Sequence, residues 1–486
     1  MWSASQIAFH SRMRLNEVLG MDATTVDIGS GLAAIQRLVD HLFCEPLTIG
    51  HFFGAERLDR FCQELGRRNL QQLRLPTSQR NAHAGPVVYI ASKLHISGGH
   101  TAALLDVIRL SPEKCAVVLV TETCGRTARE QLRLRFGSES RAKLEFVPPG
   151  GHAAKLSWLQ ARLHELGPAK VWLFNHHQDS VAVAAVQPGQ AYELRFYHHG
   201  DDRLCLGARL DFGTHFDPIP AAVHNCTALR NGHRSHYLPL VAVDAGYAGA
   251  RLTAPWNRPL VTCTAAGYNK VEVEYFVQYV DVVPELLKIT GGRHIHIGRL
   301  SRLAQWRIGQ GLRRRGIPTD AFLYIPWVPS VWRTLQTEGV DLYFASFPYG
   351  GGRTLVEVMG AGVPAILHRH TTVRMIGGFD MAYDEALTWR EPRELYDKLR
   401  QVNPDFLVLQ GKLARAWYER YHDESVLAGA LRDPTSVIAP DPKPGYVPDE
   451  LLSAWQAASE VTWNGLLKRT AVRAFRRASS ALGRMA

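Results

Sequence analysis

The feature that most constrains this chain is a pattern used twice: short apolar runs separated by helix-patterned segments, over 86–199 and again over 259–369. In the first series PVVYIAS (86–92), CAVVLVT (115–121), KLEFVP (143–148), KVWLFN (170–175) and ELRFYHH (193–199) read as strands, with TAALLDVIRLS (101–111) and ARLHELG (161–167) as helices between them. Strands apolar on both faces and spaced by helices belong to a parallel sheet covered on both sides. The second series runs PLVTCTA (259–265), HIHIG (294–298), FLYIPWV (322–328), VDLYFAS (340–346) and PAILHR (364–369). Its helical segments include 273–290, 302–316 and 354–362. The expected fold class is α/β, with two doubly wound, Rossmann-like domains facing each other across a cleft. A length of 486 residues accommodates both, with appendages. The expected divisions are a helical N-terminal extension (1–85), a first domain (86–252), a second domain (253–435), and a Pro-rich linker with a basic amphipathic helix (436–486).

Composition excludes several classes. Apolar residues at 46% and charged residues at 21% are globular values. No run of about 18 apolar residues occurs, so no membrane-spanning helix is expected. The opening residues lack a charged stretch followed by an apolar one, which argues against a secretory signal. Seven scattered cysteines without a CxxC pair argue against a zinc knuckle or a disulfide framework and fit a reducing cytoplasm. The net charge of +11 is uneven: residues 461–486 hold six Lys or Arg and no acid. A basic excess at one end points to an anionic surface, and no nucleic-acid-binding signature accompanies it, so no nucleic-acid partner is expected.

In doubly wound sheets ligands bind beyond the carboxyl ends of the strands, so the loops there carry the chemistry. KLHISGGHT (93–101) sets Gly98 and Gly99 before a helix, where the backbone can approach an anion, or where the chain simply turns tightly. NHHQDS (175–180) and YHHGDDRLCLG (197–207) each carry paired histidines. These imidazoles read as general bases or acceptor contacts, as structural histidines, or as zinc ligands, although the HxxxH and HExxH spacings are absent. The strongest loop is VDLYFASFPYGGGRTLVEVMGAGVP (340–364). Its glycines clear room for a phosphate, the free N–H groups of the following helix can bind it, and Arg353 adds a cation. Glu357 lies one turn further along the same face, where a carboxylate can accept from vicinal hydroxyls such as those of a ribose.

The segment SFPYGGGRTLVEVMGAGVPAI resembles the donor-binding segment of GT-B nucleotide-sugar glycosyltransferases, family 4-like, with its E-x-M-x-x-G-x-P pattern at Glu357, Met359, Gly362 and Pro364. TAAGYNK (264–270) is similar to the family's first strand-to-helix turn in the second domain. The likeness spans roughly 86–425. It implies a GT-B fold, a donor diphosphate held by Lys270, Gly351, Gly352, Arg353 and Thr354, and a ribose held by Glu357. Retaining members carry a second Glu eight residues before the first; here that position is Tyr349. The form FPYxGxTTxxE of bacterial O-GlcNAc transferase-like enzymes is similar, with Arg353 and Thr354 as the phosphate pair. Inversion is then favoured, with a general base from the first domain: His199, Asp201 or His100. The tetratricopeptide array of those enzymes is not evident, which argues against a protein acceptor.

The resemblance implies a metal-independent hexosyltransferase without a cofactor, which moves sugar from a nucleoside-diphosphate donor to a hydroxyl acceptor. A cell-surface glycan or lipid-linked saccharide is the expected acceptor, as in lipopolysaccharide synthesis. The alternatives are a nucleotide-sugar epimerase of the same fold and a non-catalytic sugar-nucleotide-binding subunit. Trp463, Leu466, Leu467, Ala471, Ala474, Phe475, Ala478 and Leu482 recur at helical steps flanked by cations, following the Pro-rich 440–450. That helix either packs on the body or lies on an anionic membrane surface, giving a cytoplasmic protein peripheral to the inner face.

Overall fold

A computed structural model describes residues 17–18, 20–43, 54–75, 85–96, 98–113, 115–125, 127–140, 142–198, 203–229, 235–247, 259–273, 275–370 and 378–443. Two parallel sheets form its framework. The first has seven strands: β1 (Val87–Ala91), β2 (Ala116–Val120), β3 (Lys143–Phe146), β4 (Lys170–Phe174), β5 (Glu193–Tyr197), β6 (Thr214–Asp217) and β7 (Ser235–Tyr237). Their spatial order is β3-β2-β1-β4-β5-β6-β7. The second has six: β8 (Val261–Ala265), β9 (Arg293–Ile297), β10 (Phe322–Ile325), β11 (Leu342–Phe344), β12 (Ala365–His368) and β13 (Leu387–Trp389), in the order β10-β9-β8-β11-β12-β13. In both, the order reverses direction beside the first strand, which is the doubly wound arrangement expected from the alternation of runs. β6, β7 and β13 were not anticipated; each is short and has a polar residue inside it.

The strand period of two explains how each sheet is covered. On one face of the first sheet, Val88, Ile90, Val117, Leu119, Val171 and Leu173 pack with Leu32, Ile35, Leu38, Phe61 and Leu65. Helices Ile28–Phe43 and Glu56–Leu73 therefore share the first-domain core. The opposite face, Tyr89, Val118, Trp172 and Phe174, packs against helix Gly99–Leu110 and against Leu427, Ala430 and Leu431. Those last three lie on helix Glu424–Arg432, so the chain returns to the first domain at its C-terminal side. Helix Pro404–Tyr421 packs on the second domain through Leu407, Ala414 and Tyr418. The helix expected over 273–290 starts later, at Tyr279, and spans Tyr279–Thr290; a separate single turn, Tyr268–Val271, precedes the expected range. Among the described residues, no helix is long and apolar enough to cross a membrane.

The domains are tied at several points. The Asp380 carboxylate, in the second domain, accepts the backbone N–H of Ala221 at 2.6 Å and that of Lys443 at 2.9 Å. His422 sits where the chain crosses between the domains, with Nδ1 2.8 Å from the Leu240 carbonyl.

Candidate functional site

A cleft of about 200 Å³ lies between the sheets, with Gly99, His100, Ala103 and Tyr197 on the first-domain side and Lys270, Gly350, Gly352 and Arg353 on the other. Pro218, Ile219, Leu240, Gly378 and Met381 complete its wall. Each side is built by a strand, a glycine turn and a helix. On the first-domain side, β1 leads to Gly98, the N-cap of helix Gly99–Leu110. On the second-domain side, β11 leads through the cis Phe347–Pro348 bond to Gly351, the N-cap of helix Gly352–Gly360. Neither N-cap offers a side chain to its helix. The first-turn N–H groups of both helices thus have no side-chain cap. The two turns stand close together: a Cβ on Gly99 would lie 3.7 Å from the Cβ of Arg353.

The remaining donor-site candidates gather at the second turn. The Lys270 ammonium donates to the Gly350 carbonyl, and a Cβ on Gly351 would come 3.5 Å from that ammonium and 3.3 Å from Thr354 Oγ1. Gly352 is equally confined, since a Cβ there would meet Met381 Sδ at 3.1 Å and Leu240 Cδ1 at 3.2 Å. Side chains at 351 or 352 would fill the space the glycines leave open. Lys270, Gly351, Gly352, Arg353 and Thr354 are thus one cluster on one wall of the cleft.

Two more of the expected ligand contacts, besides Lys270, have protein partners. Arg353 Nη1 donates to Asp106, a buried acid on the first-domain helix. Burial pushes the Asp106 carboxyl up, against the opposing pull of Arg353 and Arg109. Glu357 is half-buried, and its Oε2 accepts the backbone N–H of Trp332 at 3.0 Å. Burial raises its carboxyl above the usual range, with the Trp332 N–H and Arg353 pulling the other way. Tyr349, where retaining relatives would carry a Glu, stacks under the Arg203 guanidinium, 4.6 Å from its ring centroid.

The histidines separate. His100 lines the cleft, its ring edge-on to His176 with centroids 4.8 Å apart. His176 and His177 lie behind it. Burial pushes His176 down to about 4 and His177 well below the usual imidazole range. His198 is fully buried, with Nδ1 2.7 Å from Asp217 Oδ1, and Asp217 also accepts from Ser235. His199 and Asp201 lie outside the described residues. Among the described residues, no group of three His, Cys, Asp or Glu is arranged to hold a metal ion.

Sequence reasoning did not single out Asp106, Tyr197 or Met381. A signal for Asp106 existed: it is the lone acid in GHTAALLDVIRL, set between the apolar pairs Leu104–Leu105 and Val107–Ile108. An acid inside a buried apolar stretch needs a partner.

Comparison with solved structures finds the same architecture at low identity. HepE of Anabaena in complex with UDP aligns with a TM-score of 0.55 and 13% identity, over 73% of this chain and 100% of that one. HepE with UDP-glucose aligns at 0.54 and 13%, over 72% and 100%. The lipopolysaccharide outer core galactosyltransferase WaaB, in its apo form, aligns at 0.53 and 14%, over 72% and 98%. No family model matches the chain, and no curated protein sequence does. With two doubly wound sheets, a shared cleft and these neighbours, the chain has the GT-B fold of nucleotide-sugar glycosyltransferases.

Proposed function

We propose that the protein is a glycosyltransferase that moves a sugar from a nucleoside-diphosphate donor to a hydroxyl acceptor. The observation that carries this reading is the pair of helix N-termini, opened by Gly98–Gly99 and Gly351–Gly352 and meeting across one cleft beside Lys270 and Arg353. Helix N–H groups without side-chain caps, positive helix ends and two cations make an anion site, and a diphosphate suits its size and charge.

The donor diphosphate lies against Gly351, Gly352, Thr354, Lys270 and Arg353, and Glu357 accepts from the ribose. As the bond from sugar to β-phosphate breaks, negative charge grows on the departing phosphate. The ammonium, the guanidinium and the helix N–H groups stabilise that charge more than they stabilise the bound donor, which lowers the barrier. The acceptor hydroxyl approaches from the first domain, where His100, His199 and Asp201 are the candidates to take its proton. Tyr349 in place of a second Glu favours inversion. The first-domain wall contributes Gly98 and Gly99 beside the transferred sugar. Hexose is the proposed sugar, and a surface glycan or a lipid-linked saccharide the proposed acceptor.

A thermal-shift panel of UDP-, GDP-, dTDP- and CMP-sugars tests donor binding, with uridine nucleotides first because HepE's complexes hold UDP and UDP-glucose. A ligand at about 100 times its dissociation constant stabilises by about 2.7 kcal/mol. Product analysis then decides the reaction. Sugar on an added acceptor supports transfer; an altered sugar on the same nucleotide would make it an epimerase; binding without turnover would make it a non-catalytic subunit.

A further inference from the structure

We infer that Asp106, on the acceptor-side domain, is the positioning residue for Arg353 at the donor diphosphate; this rests on the donor-site reading above. Asp106 sits two turns into helix Gly99–Leu110, 6% exposed, with Leu105, Val107 and Ile108 buried around it. Its two oxygens are divided between two guanidiniums. Oδ2 takes Arg353 from the other domain, and Oδ1 takes Arg109 of its own helix at 3.2 Å. Arg109 is held in turn by Glu424, on the helix that returns from the second domain. Two cations and two anions balance, so the buried carboxylate is fully compensated only while Arg353 is in place beside Arg109.

Arg353 therefore meets the cleft already oriented. Asp106 engages one nitrogen, Nη1, and the planar guanidinium keeps Nε and Nη2 as further donors. An arginine that swings freely loses rotamer freedom when it grips a phosphate, whereas an anchored one has lost it beforehand. The anchor belongs to the first domain, so the donor site in the second is complete only when the two domains are closed on each other. Asp106 thereby makes donor affinity depend on the acceptor-side domain without touching the donor.

The test is a calorimetric double-mutant cycle on the full chain, using UDP as the diphosphate and uridine as the nucleoside. Asp106→Ala should weaken the diphosphate about tenfold or more, the size of a lost charge-assisted contact, and leave the nucleoside unchanged. The double variant Asp106→Ala/Arg353→Ala should bind no more weakly than Arg353→Ala alone, since the two residues act as one unit. Asp106→Asn retains an acceptor oxygen and should recover part of the loss. If Asp106→Ala does not fold, the cycle built on Asp106→Asn carries the test. Additive losses, an equal loss for the nucleoside, or tighter diphosphate binding (Asp106 as a competitor for Arg353) would overturn the assignment while leaving the donor site standing. A wild type that binds no nucleotide overturns the donor reading itself.

Discussion

Glu357 accepts the backbone N–H of Trp332 at 3.0 Å, so the acid expected at a ribose also holds the first turn of helix Val331–Thr337. Ser330 caps the same turn, its side chain accepting from the Arg333 N–H. A carboxylate has lone pairs to spare for both duties. Glu357→Ala should therefore weaken nucleotide binding and also lower stability by about 1–3 kcal/mol, the cost of leaving a donor unsatisfied. Glu357→Gln, which keeps an acceptor for Trp332, should restore most of the stability and little of the binding. Denaturant titration beside calorimetry checks both, and equal recovery of the two properties would count against the ribose role.

Lys270→Ala should weaken donor binding and slow transfer without unfolding the protein. Its ammonium meets the Gly350 carbonyl at the cleft wall, and its side chain is not among the buried core residues. A charge-assisted contact to phosphate is worth about 1.5–3 kcal/mol, or roughly ten- to hundredfold. Steady-state kinetics with an unchanged donor KM and kcat would remove Lys270 from the site.

His100→Ala and His199→Ala separate the candidates for the base. Replacement of the true base should cut kcat by about a hundredfold or more while nucleotide affinity stays within a few-fold. If turnover survives in both variants, Asp201 is next to test.

The second-domain core carries an acid sensitivity. Tyr279 Oη lies 2.9 Å from His294 Nε2 and 2.8 Å from His296 Nδ1, and His294 Nδ1 lies 2.9 Å from Thr262 Oγ1. Burial pushes His294 down to about 3 and His296 to about 4. Below about pH 6.5 the unfolded chain protonates these rings while the folded one does not, so the unfolded state binds more protons. Stability should accordingly be full near neutral pH and fall as pH drops through about 6.5 toward about 4, by up to about 1.4 kcal/mol per pH unit for each ring. Unfolding midpoints that stay constant from about pH 7.5 to 5 would contradict this.

The basic tail, 461–486, lies outside the described residues. Full-length protein should co-sediment with anionic vesicles and release as salt rises, each headgroup-facing cation contributing about 1 kcal/mol. Deletion of 461–486 should abolish the binding. Vesicle binding that persists in the truncated protein would relocate the membrane contact to the body.

What the chain determines locally was legible from its residues. Strands such as Val87–Ala91 and Lys170–Phe174 are continuous apolar runs because both of their faces are covered, and the glycines at 98–99 and 350–352 mark turns whatever surrounds them. These signals span a few neighbours along the chain, so two doubly wound domains and the donor-side loop followed from them. Tertiary structure decided the rest. β6, β7 and β13 exist through pairing with neighbouring strands, which short runs with internal polar residues do not announce. Helix Glu424–Arg432 lies against the first domain because Leu427, Ala430 and Leu431 join the apolar core around helix Gly99–Leu110, an outcome set by shape and not by order along the chain. The partner of Arg353 is Asp106, 247 residues away. A buried ion pair needs two charges desolvated together, and only folding brings those two together from opposite domains.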